Sequence, residues 1–318
     1  MVNTVSFPGL GLEFTLDRVA LTVFGRPVYW YAIIIVCGLM LAWLYCSKKA
    51  PKVGIKSDDV VDLLLFAVPL AVIGARLYYI IFNLGEFRGA DGALDFGKMV
   101  RLWDGGLAIY GAVIVSLAVL FFLCRYKKIP FLAFGDLGVF GLLIGQSIGR
   151  WGNFVNVEAY GGVTDLPWRM CSSKIAAELY GQGLVDAAGY QQVLDGTLGV
   201  HPTFLYESLW NLLGFVLLVL IFRYWRKFDG QIFFSYLLWY GVGRGIIEGL
   251  RTDSLYFMDT AIRVSQVLGF ASALVGAVFI ILFLTVWRRG PESLWVNRKA
   301  KAAELTNEED ESDGGDGN

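Results

Sequence analysis

Seven apolar runs constrain this chain more than any other feature. They lie near Val28–Cys46, Val60–Phe82, Gly106–Cys124, Phe131–Gly149, Thr203–Phe222, Gln231–Leu250 and Ala261–Trp287. Each approaches the roughly 20 residues that cross the hydrocarbon core of a bilayer as a helix. Lipid offers no partner for bare backbone groups, so each run is predicted helical. A hydrophobic content of 56% and a mean hydropathy of +0.57 lie outside the range of ordinary soluble domains. The predicted fold class is therefore an all-α polytopic membrane protein, a bundle of seven transmembrane helices with a small extracytoplasmic cap. Residues 1–290 form the transmembrane unit, with an outer arm at 83–103 and the cap at 151–202. Residues 291–318 follow as a tail whose end, "NEEDESDGGDGN", is acidic and Gly-rich and reads as disordered.

Basic residues set the orientation. Lys48, Lys49, Lys52 and Lys56 follow the first run, and Arg125, Lys127 and Lys128 the third. Arg223, Arg226 and Lys227 follow the fifth, and Arg288 and Arg289 the seventh. The opposite loops are poorer in Lys and Arg, so the N-terminus is predicted outside and the C-terminus cytoplasmic. The N-terminus lacks a basic region ahead of an apolar core, so it does not read as a cleaved signal peptide. Cys37, Cys46, Cys124 and Cys171 show no CxxC spacing, which suggests neither zinc nor a disulfide framework. A net charge of −1 gives no sign of nucleic acid. No internal repeat supports an inverted-repeat transporter.

Ionisable residues inside a membrane are costly and so mark candidate sites. Here they are Arg76, Asp136, Arg150, Glu207, Arg244 and Glu248. Arg244 and Glu248 are four apart and share a helix face, with Tyr240 one turn earlier and Arg251 one turn later. The plain reading is a structural ion pair, and Gly241, Gly243, Gly245 and Gly249 leave room for a close neighbour or a headgroup. Against it, Arg76, Arg150, Arg244 and Arg251 all fall toward the outer half, opposite to the usual bias. A lipid phosphate there explains them, because the planar guanidinium donates two hydrogen bonds at once.

The stretch "GRWGNFVNVEAYGG" ends the fourth run with Arg150, Asn153, Asn156 and Glu158 among glycines. Arg150 alone would pass as a snorkelling interfacial residue; its polar company argues for a site. "WDGGLAIYG" at Trp103–Gly111 reads either as an interfacial turn or as a dip into the membrane, with Tyr110 about two turns inside. His201 in "HPTFLYE", the sole histidine, reads as a helix-start residue at least as readily as a catalytic one. Tyr29, Trp30 and Tyr31 fit an aromatic belt.

Together these residues resemble the bacterial prolipoprotein diacylglyceryl transferase family. "GRWGNFVNVEAYGG" is similar to its Gly-Arg-x-Gly-Asn-Phe-x-Asn-x-Glu-x-x-Gly signature, and "GARLYYIIFN", "WDGGLAIYG", "HPTFLYES" and "YGVGRGIIEGLR" follow in family order. The resemblance covers nearly all the chain except the tail and parts of the cap. It implies a transferase of the bacterial plasma membrane with seven spans and no cofactor or metal. Its substrates would be phosphatidylglycerol and prolipoprotein signal peptides carrying a lipobox cysteine. The diacylglyceryl group would move to that thiol as a thioether, releasing glycerol-1-phosphate. Carried over by position, Arg244, Glu248, Asn153 and Glu158 are catalytic candidates, and Arg150 and Tyr31 are candidates for binding phosphatidylglycerol. From the residues themselves, Tyr110 joins the catalytic candidates and Arg76, Asn156 and Arg251 the binding candidates. Some family members carry His where this chain has Tyr110, so Glu248, Glu158 and Tyr110 stay open as the base. The rival reading is a membrane transporter for a lipid or anionic solute. An intramembrane protease would need a Ser–His, paired Asp or HExxH constellation, and none is evident.

Overall fold

A computed structural model describes residues 2–89, 92–102, 105–252, 257 and 262–313, with side chains to 305. The apolar runs are helices: α1 (Trp30–Lys49), α2 (Ser57–Phe82), α4 (Ile109–Lys127), α5 (Phe131–Asn156), α8 (Thr203–Tyr224), α9 (Gln231–Glu248) and α10 (Val264–Ile281). Six of them, some extended by adjoining turns, are long and apolar enough to cross a membrane. Their outward faces carry Leu65, Phe66, Ile73, Phe122 and Leu274 in the open, as lipid-facing surfaces do. The chain is a mostly helical, multi-pass membrane protein. The sixth run is also a helix, α9, but it falls outside the six candidate spans. Gln231, Arg244, Glu248 and three glycines dilute its apolar residues. Ala261, where the last run was placed, lies outside the described residues.

Small residues let the helices approach, as membrane packing favours. A Cβ on Gly111 of α4 would strike the Gly74 carbonyl of α2, and one on Gly241 of α9 would strike Gly269 of α10. On α8 and α9 the arrangement is reciprocal. Trp239 fills the space over Gly214, and Trp210 the space over Gly243. The two indoles stack at 4.3 Å, and each Nε1 donates to the other's carbonyl at 3.1 and 3.0 Å.

Asp136 owes its place in the membrane to structure. Its carboxylate accepts from the Gly230 and Phe233 amides, each at 2.9 Å, and so caps the first turn of α9 from another helix. It also pairs with Arg226 at 3.2 Å, with neither side chain more than 6% exposed. Asp136→Ala would leave two amides unpaired and Arg226 with one carboxylate, Asp229 at 2.9 Å, in place of two. We expect a loss of about 3 kcal/mol of stability, read as a lower thermal midpoint in detergent. An unchanged midpoint would refute this cap.

The all-α expectation missed three two-stranded sheets. β1 (Val2–Phe7) pairs with β2 (Leu12–Asp17), and β3 (Val19–Val23) with β4 (Arg26–Tyr29), which runs directly into α1. β5 (Val163–Thr164) pairs with β6 (Gly199–Val200). α6 (Ser173–Gly181) and α7 (Ala187–Asp195) lie between β5 and β6. Ser6 and Cys171 exchange backbone hydrogen bonds at 2.9 Å, so the N-terminal hairpin joins this segment. They share a core of Val5, Phe7, Met170, Ile175, Leu179 and Val200. Burial there pushes the Cys171 thiol up to about 11, which keeps it protonated. Between α2 and α4 lies the short α3 (Phe96–Val100); Trp103 and Asp104, which close the predicted arm, are outside the described residues. Past residue 291 the chain turns into α11 (Trp295–Asp313).

Candidate active site

Three sequence motifs meet through their backbones at one end of the bundle. Gly161 N donates to the His201 carbonyl at 2.9 Å, and His201 N to the Gly162 carbonyl at 3.1 Å. Gly162 N donates to the Leu250 carbonyl at 2.7 Å, at the end of α9. A Cβ on Gly161 would overlap His201, Thr203 and the Leu250 carbonyl, so only glycine fits there. The stretch after α5, the start of α8 and the end of α9 are thus locked together. The single histidine contributes here through its backbone, and burial lowers its side-chain pKa, favouring neutral imidazole.

That lock converges the charges. Glu207 of α8 pairs with Arg150 of α5, with Arg244 of α9 at 3.4 Å and with Arg251 at 3.2 Å. Arg244 also pairs with Glu248 at 2.6 Å, one turn along its own helix. The carboxylates are sealed, Glu207 at 5% and Glu248 at 2% exposure, whereas Arg150 keeps 20% and Arg244 17%. An arriving group therefore meets guanidinium before carboxylate. Among the described ion pairs, three arginines meet two carboxylates, an excess of one positive charge. A phosphodiester carries one unit of the opposite sign.

Beside this cluster stands an amide–carboxylate group. Asn153 and Asn156 both donate to one oxygen of Glu158, at 2.9 and 3.3 Å. Val157 and Ala159 on either side have φ of 51° and 55°. A β-branched residue at positive φ is a true outlier, and such strain at a loop is a mark of function. Lys174 holds the end of α5 by donating to the Asn156 and Val157 carbonyls at 2.9 and 2.8 Å. The Tyr31 ring lies where a Gly152 side chain would be, on the helix that carries Arg150 and Asn153.

The prolipoprotein diacylglyceryl transferase family model matches residues 18–282. The chain belongs to this family. It is 39% identical over 269 residues to the phosphatidylglycerol–prolipoprotein diacylglyceryl transferase of Streptococcus uberis, covering 84% of this chain and 95% of the relative. The enzyme of that name from Finegoldia magna is 39% identical over 268 residues, 84% and 96% of the two chains. That from Oceanobacillus iheyensis is 41% identical over 266 residues, 84% and 88% of the two.

In this diacylglyceryl transferase family member the predicted site residues separate into two groups. Arg150, Arg244, Glu248 and Arg251 share one charge network, and Asn153, Asn156 and Glu158 share a second set of bonds. Arg76 and Tyr110 make no described contact with either group. Arg76 donates to five carbonyls: Met99 at 2.8 Å, Gly105 at 2.5 Å, Gly106 at 2.9 Å, Lys98 at 2.7 Å and Arg101 at 3.1 Å. Every donor position is spent on holding the α2–α4 connection, and its face lies over Phe87. Tyr110 sits against Tyr78 with ring centroids 6.3 Å apart, in the α2–α4 pair. Glu207 is what the sequence reading left out of the site. It was visible as a carboxylate inside an apolar run, but its three partners come from α5, α9 and the segment just after α9.

Proposed function

We propose that this chain transfers the diacylglyceryl group of phosphatidylglycerol to the lipobox cysteine thiol of a prolipoprotein. A thioether forms and glycerol-1-phosphate leaves, the first step of lipoprotein maturation. The observation that carries the reading is the cluster of Arg150, Arg244 and Arg251 around the buried Glu207.

The reaction breaks the bond between the glyceryl C3 carbon and a phosphate oxygen, and the electron pair leaves with the phosphate. Sulfur supplies the new bond to C3. Arg150 and Arg244, with their partly open guanidiniums, stabilise the charge on the departing phosphate. The same field favours thiolate, since a free thiol has a pKa of about 8.5 and nearby cations lower it. Of the three base candidates, Glu158 fits best. Its described partners are amides rather than guanidiniums, so its charge is not spent in an ion pair. Glu248 is sealed and paired with Arg244. Tyr110 stands with Tyr78, and Tyr31 lines the α5 side of the cluster.

The membrane is a bacterial plasma membrane and the site faces its outer side. The basic loops supporting this are Lys48–Lys56, Arg125–Lys128 and Arg223–Lys227, all at the opposite ends of the helices. α9 completes the set of seven spans, and residues 151–202 with the N-terminal hairpin make the cap. Residues 1–290 are the catalytic unit and 291–318 a cytoplasmic tail. The test is the product. Purified protein with phosphatidylglycerol and a lipobox peptide should release glycerol phosphate and add one diacylglyceryl mass to the peptide. Lipid or solute flux across vesicles with no covalent product would favour the transporter instead.

A further inference from the structure

One helical turn inward from the charge cluster, the same helix faces carry uncharged polar groups. Gln146 precedes Arg150 by four residues on α5, Asn211 follows Glu207 by four on α8, and Tyr240 precedes Arg244 by four on α9. Residues four apart share a face and differ by roughly 6 Å along the axis. Gln146 Nε2 donates to the Tyr236 hydroxyl at 2.9 Å, and the Tyr236 ring stacks on Tyr240 at 5.3 Å. Ser147 and Ser208 tie α5 to α8 alongside, each hydroxyl donating to the other's carbonyl at 3.0 and 2.9 Å.

Two acceptors in this layer are left over. Gln146 Oε1 and Asn211 Oδ1 are buried and receive no hydrogen bond from the described residues. Asn211 as a whole is only 2% exposed. Inside a bilayer such a carbonyl has lost water and gained nothing in return. Packing alone does not call for amides at either place, since Leu or Met has similar volume.

We propose that Gln146 and Asn211 receive the hydroxyls of the phosphatidylglycerol headgroup while the arginines above them hold its phosphate. The pair thereby selects a polyol headgroup. This rests on the transferase reading above. What the two carbonyls require is an uncharged O–H donor. An ammonium headgroup also donates, but it would have to settle beside three guanidiniums. An alkyl headgroup has nothing to donate. A glycerol headgroup offers two hydroxyls on a three-carbon chain, close to the reach of one helical turn. Ordered water is the other source of O–H groups, and the experiment separates the two.

The full-length protein is assayed for diacylglyceryl transfer to a lipobox peptide from phosphatidylglycerol and from phosphatidylpropanol. The second lipid has the same charge and the same number of headgroup carbons without hydroxyls. The unaltered protein should favour phosphatidylglycerol in kcat/KM by about 100-fold, near tenfold for each well-made bond. Asn211→Leu and Gln146→Met should each lower kcat/KM for phosphatidylglycerol about tenfold. Each should leave phosphatidylpropanol within about twofold, so that the preference shrinks. Transfer from phosphatidylpropanol also reports that a variant is folded. Equal losses on both lipids, total loss included, would assign the amides to water or to structure and overturn the proposal. So would an unaltered protein without preference. Failure of the transferase reading looks different: no product from either lipid.

Discussion

Glu207→Gln should abolish most diacylglyceryl transfer, lowering kcat/KM by about 100-fold, and should also lower the thermal midpoint. The substitution keeps size and one acceptor but removes the charge that three guanidiniums share. Without it Arg150, Arg244 and Arg251 lose the carboxylate they share, and of the described pairs in the cluster Arg244–Glu248 remains. Removing one partner of a buried pair costs about 3–5 kcal/mol, mostly because the other charge stays behind. Repelled side chains would also turn away from the position that receives phosphate. Glu207→Asp should retain more of both quantities, since the charge remains and the reach shortens by one methylene. A Gln variant with full activity would mean that the arginines are organised without their common carboxylate.

Gly243→Ala should lower transfer about tenfold or more and lower the thermal midpoint. The Trp210 indole occupies the position of the added methyl. Its Nε1 bond to the Trp239 carbonyl leaves it little freedom to move. The helices must separate, and overpacking of this kind costs about 1–3 kcal/mol. Glu207 lies three residues before Trp210, and Arg244 directly follows Gly243, so the displacement falls on the 3.4 Å contact between them. A misplacement of about 1 Å is enough to cost catalysis heavily. Gly214→Ala should act in the same way through Trp239. Kinetics in detergent, measured alongside unfolding, would show whether activity falls with the midpoint. Unchanged values in both would mean that the indole pair can rearrange freely.

Much of this was legible in the sequence because membrane chemistry leaves few alternatives. An apolar run of spanning length has to be a helix, and arginines within such runs have to be doing something. Arg150, Arg244, Arg251 and Glu248 were found that way, and the structure gathers them into one network. The two asparagines and Glu158 were legible as a polar stretch at a helix end, although their mutual bonds were not.

The remainder depended on register between helices, which no single run encodes. Glu207 meets Arg150 only because α5 and α8 run antiparallel with a particular offset. Arg76 carried the same outward signal as Arg150, yet its partners are the carbonyls of a connection whose fold could not be read beforehand. Asp136 looked like a functional intramembrane acid and instead caps the first turn of α9. The glycines of α9 admit neighbouring side chains and backbone. The N-terminal hairpins passed unnoticed because short strands beside long apolar runs contribute little to the pattern. α9 is the instructive inverse. The residues that give it chemistry are those that dilute its hydropathy.

The central claim is that one outward-facing set of arginines, anchored by Glu207, holds the phosphate of phosphatidylglycerol during transfer. Arg150→Ala tests it most directly, since Arg150 is the most open of the three side chains at 20% exposure. Transfer from phosphatidylglycerol to a lipobox peptide is measured with the variant shown to be inserted and folded. The expected result is a fall in kcat/KM of about 100-fold or more. Turnover near that of the unaltered protein would contradict the account.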